Sequence, residues 1–344
     1  MMLFRKAQKI DLDAIYQLAI KAGNGITTLP KDKVILEQRL NWSLESFAKK
    51  IKNPRHELYL FVLEDRKTGQ VVGTSGIASS VGHDLPCYSY KLSKRTRISH
   101  SLNIRSDYEI LSLVNDNQGA SEICSLFLDP QYRKNANGLL LSKARFLFMA
   151  EFKARFETRV IAEMRGVSDN KGHSPFWNNV GKHFFQMPFT LADKLSLSTN
   201  KQFIADLLPR NPIYVKLLSK KAQAVIGKPH ESTLPAMTIL LSEGFRYQHY
   251  IDIFDAGPRL EIPIHQIRTL SQSRLLKIKG LSDEVSSTRF LMANTKLDFR
   301  ASLSRLIYQG NDCVIDKKTA DLLEVKEGDF LRVASLELNN KALK

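Results

Sequence analysis

Cysteine is scarce in this sequence: three in 344 residues, at Cys87, Cys124 and Cys313. Thiols so far apart and odd in number make neither a disulfide framework nor a zinc-ligand pattern, and they fit a reducing compartment. No apolar run approaches the ~18–20 residues that span a bilayer. The opening Met1-Met2-Leu3-Phe4-Arg5-Lys6 turns polar at once, so no export signal and a cytoplasmic location are expected. Internal repeats and low-complexity tracts are missing too. Acidic residues are outnumbered, 35 against 51 basic ones, which leaves a net charge of +16. Such an excess favours polyanionic partners: nucleic acid, or a phosphate-bearing cofactor. The charge is spread along the chain, and its densest acid-free patch (Lys91, Lys94, Arg95, Arg97, Arg105) reads as an exposed loop or edge hairpin. Helix-turn-helix, zinc-finger and RNP signatures are lacking. A basic nucleic-acid-binding protein is therefore the alternative reading from another class.

What the sequence does contain is an ordinary globular balance, 43% hydrophobic and 25% charged. A length of 344 residues suggests two domains. The clearest linker signal is Asp255-Ala256-Gly257-Pro258. It divides the chain into residues 1–257, with insertions near 83–119 and 166–235, and residues 258–344, a small β-rich, barrel-like unit. Phe4–Gln8 reads as a strand. A helix follows to Ile20, then a second from Pro30-Lys31-Asp32-Lys33 to about Ile51. Leu58–Glu64 and Gln70–Val81 make a hairpin. Ser121–Leu128 and Val160–Met164 are apolar strands, joined by a long amphipathic helix over Gly138 to about Phe156. Ser174–Phe185 reads as helix, 190–235 as helical and proline-broken, and Ala236–Glu243 as a helix closed by Gly244.

The stretch with most chemical content runs from Ser121 to Arg145: a strand, an Asp129-Pro130 turn, a basic loop Arg133-Lys134-Asn135-Ala136-Asn137-Gly138, then a helix. The first amides of a helix have no partner within it, and together with the helix dipole they attract anions. Arg133 and Lys134 add charge, and Gly138 permits close approach of a ligand to the backbone. This is the physics needed to hold a pyrophosphate.

Arg133-x-x-Ala136-x-Gly138 resembles the Arg/Gln-x-x-Gly-x-Gly/Ala loop of the GCN5-related N-acyltransferases, with Ala136 in place of the first glycine. The order of elements resembles that fold too, an α+β mixed sheet flanked by helices. The chain resembles one family closely over residues 2–275, the arginine and ornithine N-succinyltransferases. The matching blocks include Gly25-Ile26-Thr27-Thr28-Leu29-Pro30, Leu126-Phe127-Leu128-Asp129-Pro130, Ala162-Glu163-Met164-Arg165-Gly166, Ser174-Pro175-Phe176-Trp177 and Tyr250-Ile251-Asp252-Ile253-Phe254-Asp255. Beyond 280 the likeness is less clear.

The resemblance implies an acyltransferase that moves the succinyl group of succinyl-CoA to the α-amine of L-arginine, the first step of arginine catabolism to glutamate and succinate. Ornithine, a polyamine or a protein amine is the alternative acceptor. Succinyl-CoA is then a co-substrate, with no permanently bound cofactor, no metal, no nucleic acid and no membrane. A homodimer, or a heteromer with a related subunit, is expected. The resemblance makes Leu126 an acyl-CoA contact and Arg133, Lys134, Ala136 and Gly138 the pyrophosphate loop. His230 aligns with the family's proton donor, and an imidazole suits that role near neutral pH; His249, His173 and His183 are weaker alternatives. For the guanidinium of arginine a carboxylate is needed. Glu122, Glu163, Asp252 and Asp255 are available, with Glu163 and Asp252 preferred; an ion pair with Arg165 or Arg246 is the competing role. Arg165, Arg145 and Lys143 are open choices for the succinyl carboxylate. Gly23–Thr28 is a possible loop over the substrate.

Overall fold

A computed structural model describes residues 1–23, 25–83, 86–169, 171–198, 202–284 and 286–336. The chain begins with β1 (Met2–Lys6), α1 (Leu12–Ala22) and α2 (Lys33–Ala48). Asp32 starts α2 by accepting the otherwise free amides of Val34 and Ile35 at 3.1 and 3.2 Å. Two hairpins follow: β2 (Leu58–Asp65) with β3 (Gln70–Ala78), and β4 (Ser89–Ser99) with β5 (Ile104–Val114). Next come β6 (Ser121–Leu128), α3 (Asn137–Glu151) and β7 (Arg159–Glu163). A helical segment carries α4 (Pro175–Asn179), α5 (Gly181–Phe185), α6 (Phe189–Ser198) and α7 (Gln202–Leu207). It continues through β8 (Ile213–Tyr214), α8 (Lys220–Val225) and α9 (Leu234–Ser242) to β9 (Arg246–Ile251), β10 (Pro258–Pro263) and α10 (Arg268–Gln272). The last unit holds β11 (Arg274–Leu281), β12 (Arg289–Asn294), β13 (Arg300–Gln309), β14 (Asp312–Ile315), α11 (Lys317–Leu323) and β15 (Phe330–Ser335).

The main sheet runs β1-β2-β3-β6-β7-β10-β9-β4-β5-β8. Its pairings are antiparallel except for β6 with β7. Strands β2 and β3 are buried on both faces, which explains their near-continuous apolar sequence. On one face α1 and α2 pack Ile15, Leu18, Leu36 and Leu40 against Val62 and Phe127. On the other, α3 packs Leu140, Leu147 and Phe148 against Phe61 and Ile123. The expected amphipathic stripe on α3 is absent. Every residue from Leu140 to Ala150 is buried, because the barrel unit closes over the helix with Leu291, Phe299 and Ala334. A helix enclosed on all sides needs no polar face.

The second unit is a closed five-stranded barrel of order β12-β15-β11-β14-β13, with β13 returning to β12. Closure removes the exposed edges of a small sheet. Leu276, Ile278, Met292, Leu306 and Val333 fill its interior, and β13 joins the main sheet through Phe4 opposite Ala301.

The expected division at 257/258 falls inside the first unit. β10 lies between β7 and β9, with Leu260 opposite Ala162 on one side and Tyr247 on the other. The Gly257-Pro258 signal has another cause than a flexible linker. A Cβ at Gly257 would lie 2.0 Å from the Met164 carbonyl oxygen, so glycine is required by close backbone approach. The 83–119 insertion is the β4–β5 hairpin. It meets β9 only at Tyr90 and Lys91, and carries Lys94, Arg95, Arg97 and Arg105 exposed on its free length.

Under α3, Lys143 (2% exposed) forms a 2.9 Å ion pair with Glu243, which has no exposed surface. Glu243 also accepts the Thr269 amide at 2.6 Å and the Thr269 hydroxyl at 2.9 Å, fixing α10 against the end of α9. Arg268 also reaches Glu243, at 3.2 Å, so it is removal of Glu243 that leaves a buried charge, Lys143, alone. Glu243→Ala is expected to lower the unfolding free energy by about 3–5 kcal/mol in denaturant melts, and Lys143→Met with Glu243→Gln by less. A single-variant loss below about 1 kcal/mol would contradict this reading of the pair.

Candidate active site

Strand β6 has two neighbours and treats them differently. Against β3 it pairs from Glu122 to Leu128, with a shift of register at Ser125, whose φ is 52°. Against β7 it pairs only at Ser121 and Glu122; beyond that point the two parallel strands part. The edge of β6 from Ile123 onward is left without a strand partner on that side. A cavity of about 180 Å³ occupies the wedge. One wall carries Ser125, Leu126 and Arg145, and the other Glu163, Arg165 and Asp252.

The loop after α1 covers this wedge. Thr28 accepts the Ser125 amide at 2.9 Å through its hydroxyl, and the Ser125 hydroxyl donates to the Thr28 carbonyl at 2.8 Å. Gly25, at φ 85°, presses so close to Arg165 that a Cβ would lie 2.7 Å from the guanidinium Nε. Gly25 to Thr28 all line the cavity, where the covering loop was expected; Asn24 lies outside the described residues.

At the open end of β6, Asp129 accepts the Gln131 amide at 3.0 Å and pairs with Lys21 at 2.6 Å. The basic loop then leads into α3. Arg133 and Lys134 are exposed, and Arg133 Nε donates to the Leu128 carbonyl at 3.1 Å. Asn135 and Ala136 both adopt left-handed backbone, at φ 55° and 65°. The Asn137 amide is taken by the Lys134 carbonyl at 3.0 Å. The amides of Gly138 and Leu139, at the second and third helical positions, have no acceptor within the helix. A Cβ at Gly138 would meet only open space, so a ligand can approach the backbone there.

His230 sits at the far end of β7. Its amide donates to the Arg165 carbonyl at 2.7 Å, and Pro229 bridges to Gly166. The ring's Nδ1 accepts the Ser232 amide at 3.1 Å and lies 2.8 Å from the Ser232 hydroxyl. That bond places the proton of the neutral ring on Nε2. Partial burial, then the charge of Arg165, lowers its pKa, against a smaller pull from Glu231 and the Ser168 backbone. His230 is therefore neutral at pH 7. Its neighbours Arg165 and Thr233 line the cavity.

The preferred carboxylates are walls of the cavity, each with a partner in the protein. Glu163 pairs with Arg259. Arg259 is 2% exposed and also bonds Ser89 and the Tyr88 carbonyl. Asp252 accepts the amides of Phe254 and Asp255 at 2.7 and 2.9 Å. Asp255 accepts those of Gly166 and Gly257 at 2.7 and 2.8 Å. Burial and then the nearby Glu163 raise the pKa of Asp252. Burial and then Asp252 hold that of Asp255 well above its ordinary range. The two carboxyls touch, and that contact disfavours ionisation of Asp255. Lys143, one of the open choices for an anion, points away to Glu243. His173 is exposed and bonded to Asp169 at 2.8 Å.

The sequence reading missed Arg259, taken there as the start of another domain, and Ser125, whose positive φ leaves no trace in residue type. An arginine inside Pro258-Arg259-Leu260-Glu261-Ile262 is a signal that could have found the former, since a charge in an apolar strand needs a partner.

A mixed sheet whose central parallel strands part over a cavity, with a helix N-terminus at the open end, is the architecture of the GCN5-related N-acyltransferases. This chain is an acyltransferase of that fold. It belongs to the arginine N-succinyltransferase family. Residues 2–269 match the family profile described as arginine N-succinyltransferase beta subunit, and residues 274–335 match its C-terminal domain. The chain is 43% identical over 346 positions to the arginine N-succinyltransferases of Salmonella schwarzengrund and Salmonella agona, covering 100% of each. The solved structure of arginine/ornithine succinyltransferase subunit AI from Pseudomonas aeruginosa is similar over 99% of both chains, with a TM-score of 0.89 and 35% identity. Among the described residues, no helix is long and apolar enough to cross a membrane, and no cluster of three acidic, histidine or cysteine residues could hold a metal.

The left-handed Ala136 explains why the resembling motif carries glycine at this position: a Cβ there costs about 1–2 kcal/mol. Ala136→Gly is expected to stabilise the protein by up to about 1 kcal/mol, read as a rise in melting temperature by calorimetry. A fall would contradict the left-handed loop.

Proposed function

We propose that this protein transfers the succinyl group of succinyl-CoA to the α-amine of L-arginine, giving N-succinylarginine and free coenzyme A. The observation that carries the reading is the parted β6–β7 wedge with a helix N-terminus at its open end. The coenzyme's pyrophosphate lies against the Gly138 and Leu139 amides, with Arg133 and Lys134 adding positive charge and Ala136 shaping the loop. The pantetheine arm, itself built of amides, takes the place of the missing strand beside Leu126. That directs the thioester down the wedge toward Ser125.

Arginine enters from the β7 side, where Glu163 and Asp252 offer carboxylate oxygens to its guanidinium. Its neutral amine attacks the thioester carbonyl. The oxyanion that forms needs hydrogen-bond donors, and the unpaired β6 edge supplies backbone N–H groups. When the carbon–sulfur bond breaks, the electron pair goes to sulfur. His230 gives that sulfur its Nε2 proton as Nδ1 takes up, through solvent, the proton that the amine loses, so the ring ends neutral. No covalent enzyme intermediate is needed. Cys124 is unsuited to one, since burial pushes its thiol up to about 11.

A thiol-release assay with succinyl-CoA tests the reading: release should require arginine over ornithine or spermidine, and its absence with every amine would end the proposal. His230→Ala is expected to lower kcat by about 10²–10⁴-fold with little change in the KM for succinyl-CoA. Because the neutral ring is the working form and its pKa is lowered, the acid limb of kcat/KM should lie below pH 6.5, and disappear in the variant. An unchanged kcat would remove His230 from the mechanism.

A further inference from the structure

Arg145 is 1% exposed and lines the wedge. Two of its five N–H donors are used, both on the turn below it: Nε to the Ser142 carbonyl at 3.0 Å and Nη2 to the Ser142 hydroxyl at 3.1 Å. It forms no ion pair with any described residue. Among the other buried cations, Arg5 has Asp11 and Glu64, Arg259 has Glu163, and Lys143 has Glu243; Arg155 has no carboxylate either, but its guanidinium is taken by the Ser46 and Lys49 carbonyls and the Tyr59 hydroxyl, away from the cavity. Burial pushes the Arg145 guanidinium down to about 10, with only the Cys124 thiol pulling it back. A guanidinium held out of water without an anion costs several kcal/mol, and folding alone gives no reason to keep it beside an empty space.

We infer that Arg145 is the receptor for the distal carboxylate of the acyl donor, and so the residue that selects a dicarboxylic monothioester over an uncharged acyl-CoA. This rests on the transfer reading above. The placement favours the donor over the acceptor as the source of the carboxylate. Arg145 shares its wall with Leu126 and Ser125, and it lies on the helix whose first turn faces the phosphates, seven residues and ~10 Å beyond Gly138. The acids suited to the acceptor's guanidinium, Glu163 and Asp252, stand on the opposite wall. The rival choices have other tasks. Lys143 is bound to Glu243. Arg165 donates to the Ser168 hydroxyl at 3.1 Å and lies beneath Gly25.

The test compares succinyl-CoA with butyryl-CoA, which has the same chain length and no charge, and arginine with agmatine, which lacks the α-carboxylate. The wild-type enzyme should prefer succinyl-CoA by about 10²-fold or more in kcat/KM, since a butyryl donor leaves a buried charge unpaired. Arg145→Met should collapse that ratio at least about tenfold while the arginine-to-agmatine ratio stays within about threefold, and Arg145→Lys should restore most of the donor preference. A donor ratio unchanged in R145M would overturn the inference. So would collapse of the acceptor ratio instead, which would give Arg145 to arginine's carboxylate. If R145M does not fold, the wild-type enzyme decides with the methyl ester of succinyl-CoA: equal rates with ester and acid would overturn the receptor. These failures differ from that of the transfer reading, in which the wild-type enzyme releases no thiol from succinyl-CoA with arginine.

Discussion

Two parallel strands that pair at two positions and then separate leave a row of backbone donors and acceptors facing a gap. Such groups are costly when buried without partners, so the gap between β6 and β7 must be held open by something. On the β6 side, the register shift at Ser125 is tied down by Thr28 through two hydrogen bonds. On the β7 side, Asp255 takes the Gly166 amide and Arg259 takes Glu163. The helix α3 fills the space behind. Its N-terminus lies where the gap opens because the chain must turn from β6 through Asp129-Pro130 before it can cross back to β7. The proposed anion site and the wedge are therefore products of one strand–helix–strand connection.

The charges around the cavity divide by wall. Acids on the β7 and β10 side are satisfied by an arginine or by backbone amides, and the contact between Asp252 and Asp255 disfavours ionisation of Asp255. Among the described residues, Arg145 on the α3 side hydrogen-bonds only its own helix. A molecule with a negative end for Arg145 and a second with a positive end for the acids would each find one oriented place. Over this sits a loop whose Gly25 admits no side chain. Among the described residues, the barrel contributes no lining to the cavity. It encloses α3, the helix that carries both the proposed phosphate end and Arg145.

Much of this was legible in the residues. Ser121–Leu128 was readable as a strand because its apolar run ends at Asp-Pro, and Asp32 announced α2. The basic loop before Gly138 pointed to an anion site through charge and position alone. The resemblance to a known family supplied His230 and Leu126, which no local pattern would have singled out. What stayed hidden depends on tertiary packing. Gly257-Pro258 looks like a linker because close approach and flexibility ask for the same residue. The α3 helix looked amphipathic because its second covering layer comes from 140 residues further along the chain. Arg145, Arg165 and Lys143 are alike in sequence, and only the position of Glu243 and the emptiness beside Arg145 tell them apart.

The central claim is that the pantetheine arm completes the sheet beside β6 while the pyrophosphate takes the open amides of α3. Amide hydrogen exchange with and without coenzyme A measures this directly. The account predicts slowed exchange at Gly138 and Leu139 and along Ile123–Leu128, with the barrel strands unchanged. Protection confined to the β4–β5 hairpin or the barrel, with those amides exchanging as before, would contradict it.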